Sequence, residues 1–194
     1  MNSDRVLSIF KETGALLEGH FLLTSGLHSN QYFQCAKVLQ YPGHCESLCG
    51  VIAAHFRSHR IDLVIAPALG GIVVGQEVGR QLGVRTIFAE RKDGAMQVRR
   101  GFEIAAGERV LVCEDVVTTG GSVQEVINLV LARNAVLAGV ACIVDRSGGK
   151  VCFDHAPEPL VPVLRLSAVT YTPDNCPLCT QGIPAVKPGS RGNA

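Results

Sequence analysis

The 194-residue chain contains no tryptophan, and aromatic residues make up only 5% of it. Its hydrophobic core must therefore be assembled from Val, Leu, Ile and Ala, a palette that suits a buried parallel sheet wrapped by helices. Strong charge of either sign is also missing. A formal net charge of +1 gives no electrostatic reason to expect nucleic acid or an anionic membrane as partner, and a small-molecule substrate fits better. The apolar run Leu63 to Gln76 is broken by Pro67, Gly70, Gly71 and Gly75 and falls short of the ~20 residues that cross a bilayer. The first residues, Met1-Asn2-Ser3-Asp4-Arg5, are charged and lead into an amphipathic stretch rather than an apolar signal block. These features together lead us to expect a cytoplasmic protein.

Cysteine, by contrast, is plentiful, with eight in the chain. Cys35, Cys49, Cys113, Cys142 and Cys152 stand in apolar surroundings and read as reduced thiols that pack as small hydrophobes. Cys176-Pro177-Leu178-Cys179 has metal-ligand spacing, but a structural zinc site needs four ligands and no second pair repeats that spacing. Cys152 and His155 are the residues that could complete such a site in space, and two further free thiols are the plainer reading.

The length favours one compact domain, divided into residues 1–60 (an N-terminal helix and hood), 61–170 (an α/β core) and 171–194 (a surface tail). Val6, Leu7, Ile9 and Phe10 recur at helical spacing within Ser3 to Glu12, and Gly14 is placed to end that helix. Ala15 to Phe33 reads as short strands around a Thr24-Ser25-Gly26 turn, and Pro42 to His59 as a second helix. From Ile61 onward, apolar strands, Gly-rich turns and helices alternate as a mostly parallel sheet flanked by helices requires. The strands are Ile61 to Ala66, Thr86 to Glu90, Arg109 to Val117, Leu137 to Asp145 and Leu160 to Leu166, and the helices are Ile72 to Leu82 and Ser122 to Arg133. Arg91 to Gly107 shows no sustained period and reads as an irregular lid. The stretch after Pro173, with Pro177, Pro184 and Pro188, reads as a coil on the surface.

The segment from Val110 to Ser122 carries the chemistry. A buried strand ends in two adjacent acids, Glu114 and Asp115. Val116, Val117, Thr118, Thr119, Gly120, Gly121 and Ser122 follow and open a helix. Freed backbone N–H groups at a helix start, aided by hydroxyls and by glycines that admit close approach, make an anion site suited to a monophosphate. The paired acids can accept hydrogen bonds from vicinal sugar hydroxyls and stand at the strand's carboxyl end, where open α/β sheets bind ligands. An ordinary strand end followed by an N-cap turn is the bland reading, and the complete order of residue types argues against it.

Glu114 to Ser122 resembles the signature of the type I phosphoribosyltransferases, which bind phosphoribosyl pyrophosphate. Within that family the chain is similar to the orotate-using members of the shorter bacterial kind over nearly its whole length. Ser25-Gly-Leu-His-Ser29, Ala66-Pro-Ala-Leu-Gly-Gly71, Glu90-Arg-Lys92, Arg99-Arg100-Gly101-Phe102 and Asp145-Arg146 also carry the likeness. The resemblance implies that Glu114 to Ser122 binds phosphoribosyl pyrophosphate with Asp115 as the central ribose acid, and that Thr118 and Arg146 contact orotate. It also implies magnesium, a mobile catalytic loop beginning at Arg91 and Lys92, and a homodimer in which that loop reaches the neighbouring subunit's site. Arg146 suits a carboxylate-bearing base because a guanidinium pairs directionally with a planar acid, the competing role being a structural ion pair with Asp145 or Glu158. The longer members carry lysines where this chain has Thr24 and Gly70, and a lysine and histidine in the loop where it has Ala95, Met96 and Gln97. Arg99 and Arg100 are the cations available to replace them.

Two other functions share the cradle: transfer to a purine base, and sensing of phosphoribosyl pyrophosphate without turnover. Arg146 argues against the first, and the lack of a nucleic-acid-binding extension against the second. His28, in the hood turn, is a candidate to line the base pocket, whereas His155 reads as structural.

Overall fold

The computed structural model describes residues 1–23, 25–166 and 169–187; Thr24 and Pro188 lie outside these. The elements run α1 (Ser3–Glu12), β1 (Leu16–Leu22), β2 (His28–Phe33), α2 (Ala36–Leu39), α3 (Pro42–Phe56), β3 (Leu63–Pro67) and α4 (Gly70–Leu82). They continue with β4 (Arg85–Lys92), β5 (Ala95–Val98), β6 (Arg109–Val117), α5 (Gly121–Leu131), β7 (Val136–Asp145), β8 (Val161–Arg165), β9 (Thr170–Tyr171) and α6 (Pro177–Thr180).

The first helix forms where its apolar spacing and its ends agree. The Asn2 side chain accepts a hydrogen bond from Arg5 N, satisfying one of the free donors of the first turn, and Gly14 takes a positive φ of 64° just past the end. Val6, Ile9 and Phe10 are buried.

Six strands form the main sheet in the order β5-β4-β3-β6-β7-β8, all parallel except the antiparallel β4–β5 pair. Every residue of β3 and all but the first of β7 are buried, as expected for strands covered on both faces. On one face Val74 and Val78 of α4 pack with Phe10, Leu48 and Ile52. On the other, Val123, Val126, Ile127 and Val130 of α5 pack with Ile65, Ile87 and Ile104. From β3 the chain crosses through α4 to β4 on one side; from β6 it crosses through α5 to β7 on the other. The strand order therefore reverses between β3 and β6, and the crevice at their carboxyl ends is where such folds take ligands. A smaller sheet, β1-β2-β9, makes the hood.

Two expectations need correction. Arg91 to Gly107 is not irregular throughout: β4 extends to Lys92 and turns back into β5, pairing Arg91 with Met96 and Lys92 with Ala95. Asp93 and Gly94 both have positive φ, 52° and 82°, the backbone of a two-residue hairpin turn favoured by an Asp-Gly pair. Beyond it Ile104 is buried in the core and Arg85 pairs with Glu108. From Pro173 to residue 187 the chain is likewise more ordered than a coil, with a 3-10 turn at Pro173–Asn175, helix α6, and a parallel bridge from Val186 to Phe21.

Candidate active site

The strand β6 delivers Glu114 and Asp115 to the crevice between β3 and β6. Their carboxylates are held by the backbone that follows them: Asp115 N donates to Glu114 Oε1 and Val116 N donates to Asp115 Oδ1, each at 2.9 Å. Opposite them α4 begins with two glycines. A Cβ on Gly70 would lie 2.6 Å from Asp115 Cγ, and one on Gly71 would lie 2.9 Å from Glu114 Oε1. The glycine at position 70 thus makes room for the acid.

Glu114 is buried, and burial pushes its carboxyl up to about 9, with the neighbouring Asp115 adding to the effect. At neutral pH Glu114 is therefore protonated and can donate as well as accept a hydrogen bond.

After Val117 the chain turns through Thr118, Thr119 and Gly120 into α5. Gly120 has φ 80°, and a Cβ there would stand 2.8 Å from both Val151 and Phe153. Backbone conformation and packing each require glycine at this turn. The loop and the first turn of α5 enclose a small polar concavity of about 70 Å³ lined by Thr118 to Ser122, the stretch for which the order of residues predicts an anion cradle.

Adjoining it is a cleft of about 560 Å³ shared by Thr118, Thr119 and Arg146. Thr118 and Arg146, singled out separately in the sequence, are brought into one cavity. Arg146 follows the end of β7, its guanidinium 5.7 Å from the centre of the Phe33 ring. Among the described residues, neither ion pair weighed as the competing role for it, with Asp145 or with Glu158, forms. Asp145 accepts from Ser147 N, Ser147 Oγ, Gly149 N and Arg165 Nε, and Glu158 pairs with His55 and His59. Among the described residues Arg146 has no ion-pair partner and its buried Nε has no hydrogen-bond partner. Burial holds its pKa below the usual arginine value.

The hood closes this cleft with Leu22, Leu23 and Leu27, while Tyr32, Lys150 and Lys187 add polar groups that the sequence did not single out. Lys187 lies in the stretch read as a surface coil, and the neighbouring Val186 pairs with Phe21 of the hood. His28 does not line the cleft; its ring turns to His20 and Cys179. Nor do Cys152 and His155 join the Cys176 and Cys179 sulfurs, which cluster instead with His20 and His28. Cys152, read as a reduced thiol packing as a small hydrophobe in apolar surroundings, is a free thiol but exposed.

The hairpin cations lie elsewhere. Arg91 pairs with Glu125 at 2.6 Å, while Arg99 and Arg100 both pair with Glu90, at 3.2 and 3.0 Å. Lys92 is exposed at the hairpin turn. None of the four lines the cleft or the cradle.

Residues 45–155 match the Phosphoribosyl transferase domain family. The orotate phosphoribosyltransferase of Chlorobium phaeobacteroides is 60% identical over 193 residues, covering 100% of this chain and 98% of its own. Among solved structures, the orotate phosphoribosyltransferase of Aeropyrum pernix superposes with a TM-score of 0.70 at 24% identity, over 83% of this chain and 93% of its own. The adenine phosphoribosyltransferase of Rhodothermus marinus gives 0.67 at 19% identity, over 84% and 99%.

Proposed function

The chain belongs to the Phosphoribosyl transferase domain family, and from that premise we propose that it transfers the phosphoribosyl group of phosphoribosyl pyrophosphate to orotate. The products are orotidine 5'-monophosphate and pyrophosphate, a step of pyrimidine biosynthesis. The observation that carries the choice of base is Arg146, a half-buried guanidinium without an anionic partner among the described residues, sharing a cleft with Thr118. An adenine-specific neighbour shares the fold, so the fold does not choose the base and the residues of the cleft must.

In this reading the Thr118 to Ser122 cradle holds the 5'-phosphate on backbone N–H groups and hydroxyls. Asp115 and Glu114 hold the ribose hydroxyls, Asp115 accepting and Glu114 able to donate. Arg146 and Thr118 orient orotate so that a ring nitrogen faces the anomeric carbon. The nitrogen–carbon bond forms as the bond to pyrophosphate breaks, through a transition state with oxocarbenium character. Positioning and charge stabilisation supply most of the acceleration for such a loose displacement.

Magnesium fits the donor set, because the two acids offer only oxygens and Gly70 leaves the space before Asp115 free of a side chain. Asp115, with Glu114 beside it, would hold the ion, which would supply charge neutralisation to the pyrophosphate. Arg91, Lys92, Arg99 and Arg100 are the cations we assign to the leaving group, acting in a homodimer from the neighbouring subunit. Their exclusion from both cavities of their own chain supports this. We read the chain as one domain and its compartment as the cytoplasm. Free thiols such as Cys45 and Cys49, whose sulfurs stand 4.0 Å apart, suit a reducing environment. No described helix is long and apolar enough to cross a membrane.

Steady-state kinetics of Arg146→Ala test the assignment. A charge-assisted hydrogen bond is worth about 1.5–3 kcal/mol, so the KM for orotate should rise roughly ten- to hundredfold while that for phosphoribosyl pyrophosphate changes little. An unchanged orotate KM would favour the purine reading.

A further inference from the structure

Four residues the proposed reaction does not use converge behind the hood. His20 stands on β1, His28 on β2, and Cys176 and Cys179 flank the start of α6. Their ligand atoms all lie within 4.8 Å of one another. His20 Nε2 is 2.7 Å from His28 Nδ1 and 3.5 and 3.8 Å from the sulfurs of Cys176 and Cys179, and Cys179 Sγ is 3.3 Å from His28 Nδ1. A tetrahedral zinc, with bonds of about 2.0–2.1 Å to nitrogen and about 2.3 Å to sulfur, has ligand-to-ligand edges of roughly 3.3–3.8 Å. Three of the four distances fall in that range; the nitrogens need part by only about 0.6 Å to meet it.

The backbone is arranged to make this cluster. The β1–β2 register slips by one residue between Glu18 and Phe21. Upstream, Leu17 faces Tyr32; downstream, Leu22 faces His28. Because side chains alternate along a strand, the slip moves the even-numbered residues of β1 to the face that carries His28. Without it His20 would stand on the opposite face. His20 is oriented further by its other nitrogen, Nδ1, which lies 2.6 Å from the carbonyl oxygen of Ile183. If Nδ1 carries the proton and donates to that carbonyl, Nε2 is left with its lone pair free, the arrangement seen around metal-bound histidines. His20, His28 and Cys176 are buried, and a soft, four-ligand S₂N₂ set matches zinc.

We propose that His20, His28, Cys176 and Cys179 bind one structural zinc ion that clamps the carboxyl-terminal segment across the hood. The segment already grips both edges of the hairpin, through Tyr171 opposite His28 and through Val186 beside Phe21. The clamp fixes the span between these points. It thereby sets the position of Lys187 and of the hood leucines that wall the base cleft. The other cluster of possible ligands, His55, His59 and Glu158, lacks sulfur and serves as an internal control.

The test uses full-length, tag-free protein purified under reducing conditions. Elemental analysis should find one zinc per chain. After chelation and reconstitution with cobalt(II), the protein should show the visible bands of a tetrahedral ion and a thiolate-to-cobalt charge-transfer band. Cys179→Ser, at an exposed position, should diminish that band, and Cys176→Ser with Cys179→Ser should abolish it. His59→Gln and Cys152→Ser should leave it intact. Removing the metal should speed chymotryptic cleavage after Tyr171 and Leu178. Wild-type protein with neither zinc nor a cobalt–thiolate band would overturn the proposal, as would metal retained by the double cysteine variant. Cleavage after Tyr171 and Leu178 that is indifferent to the metal would overturn the clamp. Orotate transfer by the intact enzyme is scored separately, so failure of the metal site and failure of the proposed reaction remain distinguishable.

Discussion

Two turns stand at the carboxyl side of the main sheet, and they are built in opposite ways. The turn between β6 and α5 is locked: its acids are tied to their own backbone, Gly120 is fitted against Val151 and Phe153, and Glu114 is buried. The turn between β4 and β5 is exposed, and its arginines rest on Glu90 and Glu125 at the surface. Exposed ion pairs are weak because water screens them. In the proposed reaction the difference separates two tasks. A rigid cradle can be complementary to phosphate and ribose before substrate arrives, at no cost in reorganisation. A hairpin whose cations are only lightly held can exchange those carboxylates for a pyrophosphate when one is present.

The locked turn is most directly broken at Asp115. Asp115→Asn keeps the volume and removes the charge, so turnover should fall by about 10²- to 10³-fold with the circular dichroism spectrum and melting temperature close to wild type. A well-folded Asp115→Asn protein turning over at the wild-type rate would remove the ribose acid from the account. For the exposed turn, limited trypsin digestion should cut between Lys92 and Arg100 in the free protein. Phosphoribosyl pyrophosphate with magnesium should slow that cut by about tenfold if substrate orders at least nine-tenths of the molecules. A cleavage rate indifferent to substrate would contradict the lid role.

A smaller effect sharpens the contrast through pH. The Glu114 carboxyl is raised by burial to about 9, so between the ordinary carboxylate range and pH 9 the folded protein binds a proton that the unfolded chain releases. Stability must then decline as pH rises through that window, by at most about 1.4 kcal/mol per pH unit for one group. Glu114→Gln cannot ionise and should flatten the decline in denaturant midpoints measured from pH 6 to 9. An identical slope in the variant would mean that Glu114 is already ionised.

What the sequence disclosed follows the same division. The cradle is contiguous, so every residue from Glu114 to Ser122 could be read in one pass, and the limits of α1 and β6 coincide with the apolar patterns that predict them. The hairpin was also written locally, in Asp93-Gly94, but its four-residue return strand is too short to show a period. Lys150, Lys187 and Tyr32 reach the base cleft from separate parts of the chain, and no spacing rule could join them. The partners of Cys176 and Cys179 were hidden for a sharper reason. His20 and His28 lie some 150 residues away, and a one-residue register slip decides which face His20 takes.

In the proposed reaction a preformed cradle works with Arg146, which has no ion-pair partner among the described residues, to select a carboxylate-bearing base. This central claim is tested most directly by supplying phosphoribosyl pyrophosphate and magnesium with orotate, uracil, adenine or hypoxanthine as the sole acceptor and measuring pyrophosphate release. The account predicts rapid release with orotate and little with uracil, which differs from orotate by the missing carboxylate, or with either purine. Release with adenine or hypoxanthine that matches or exceeds release with orotate would contradict it.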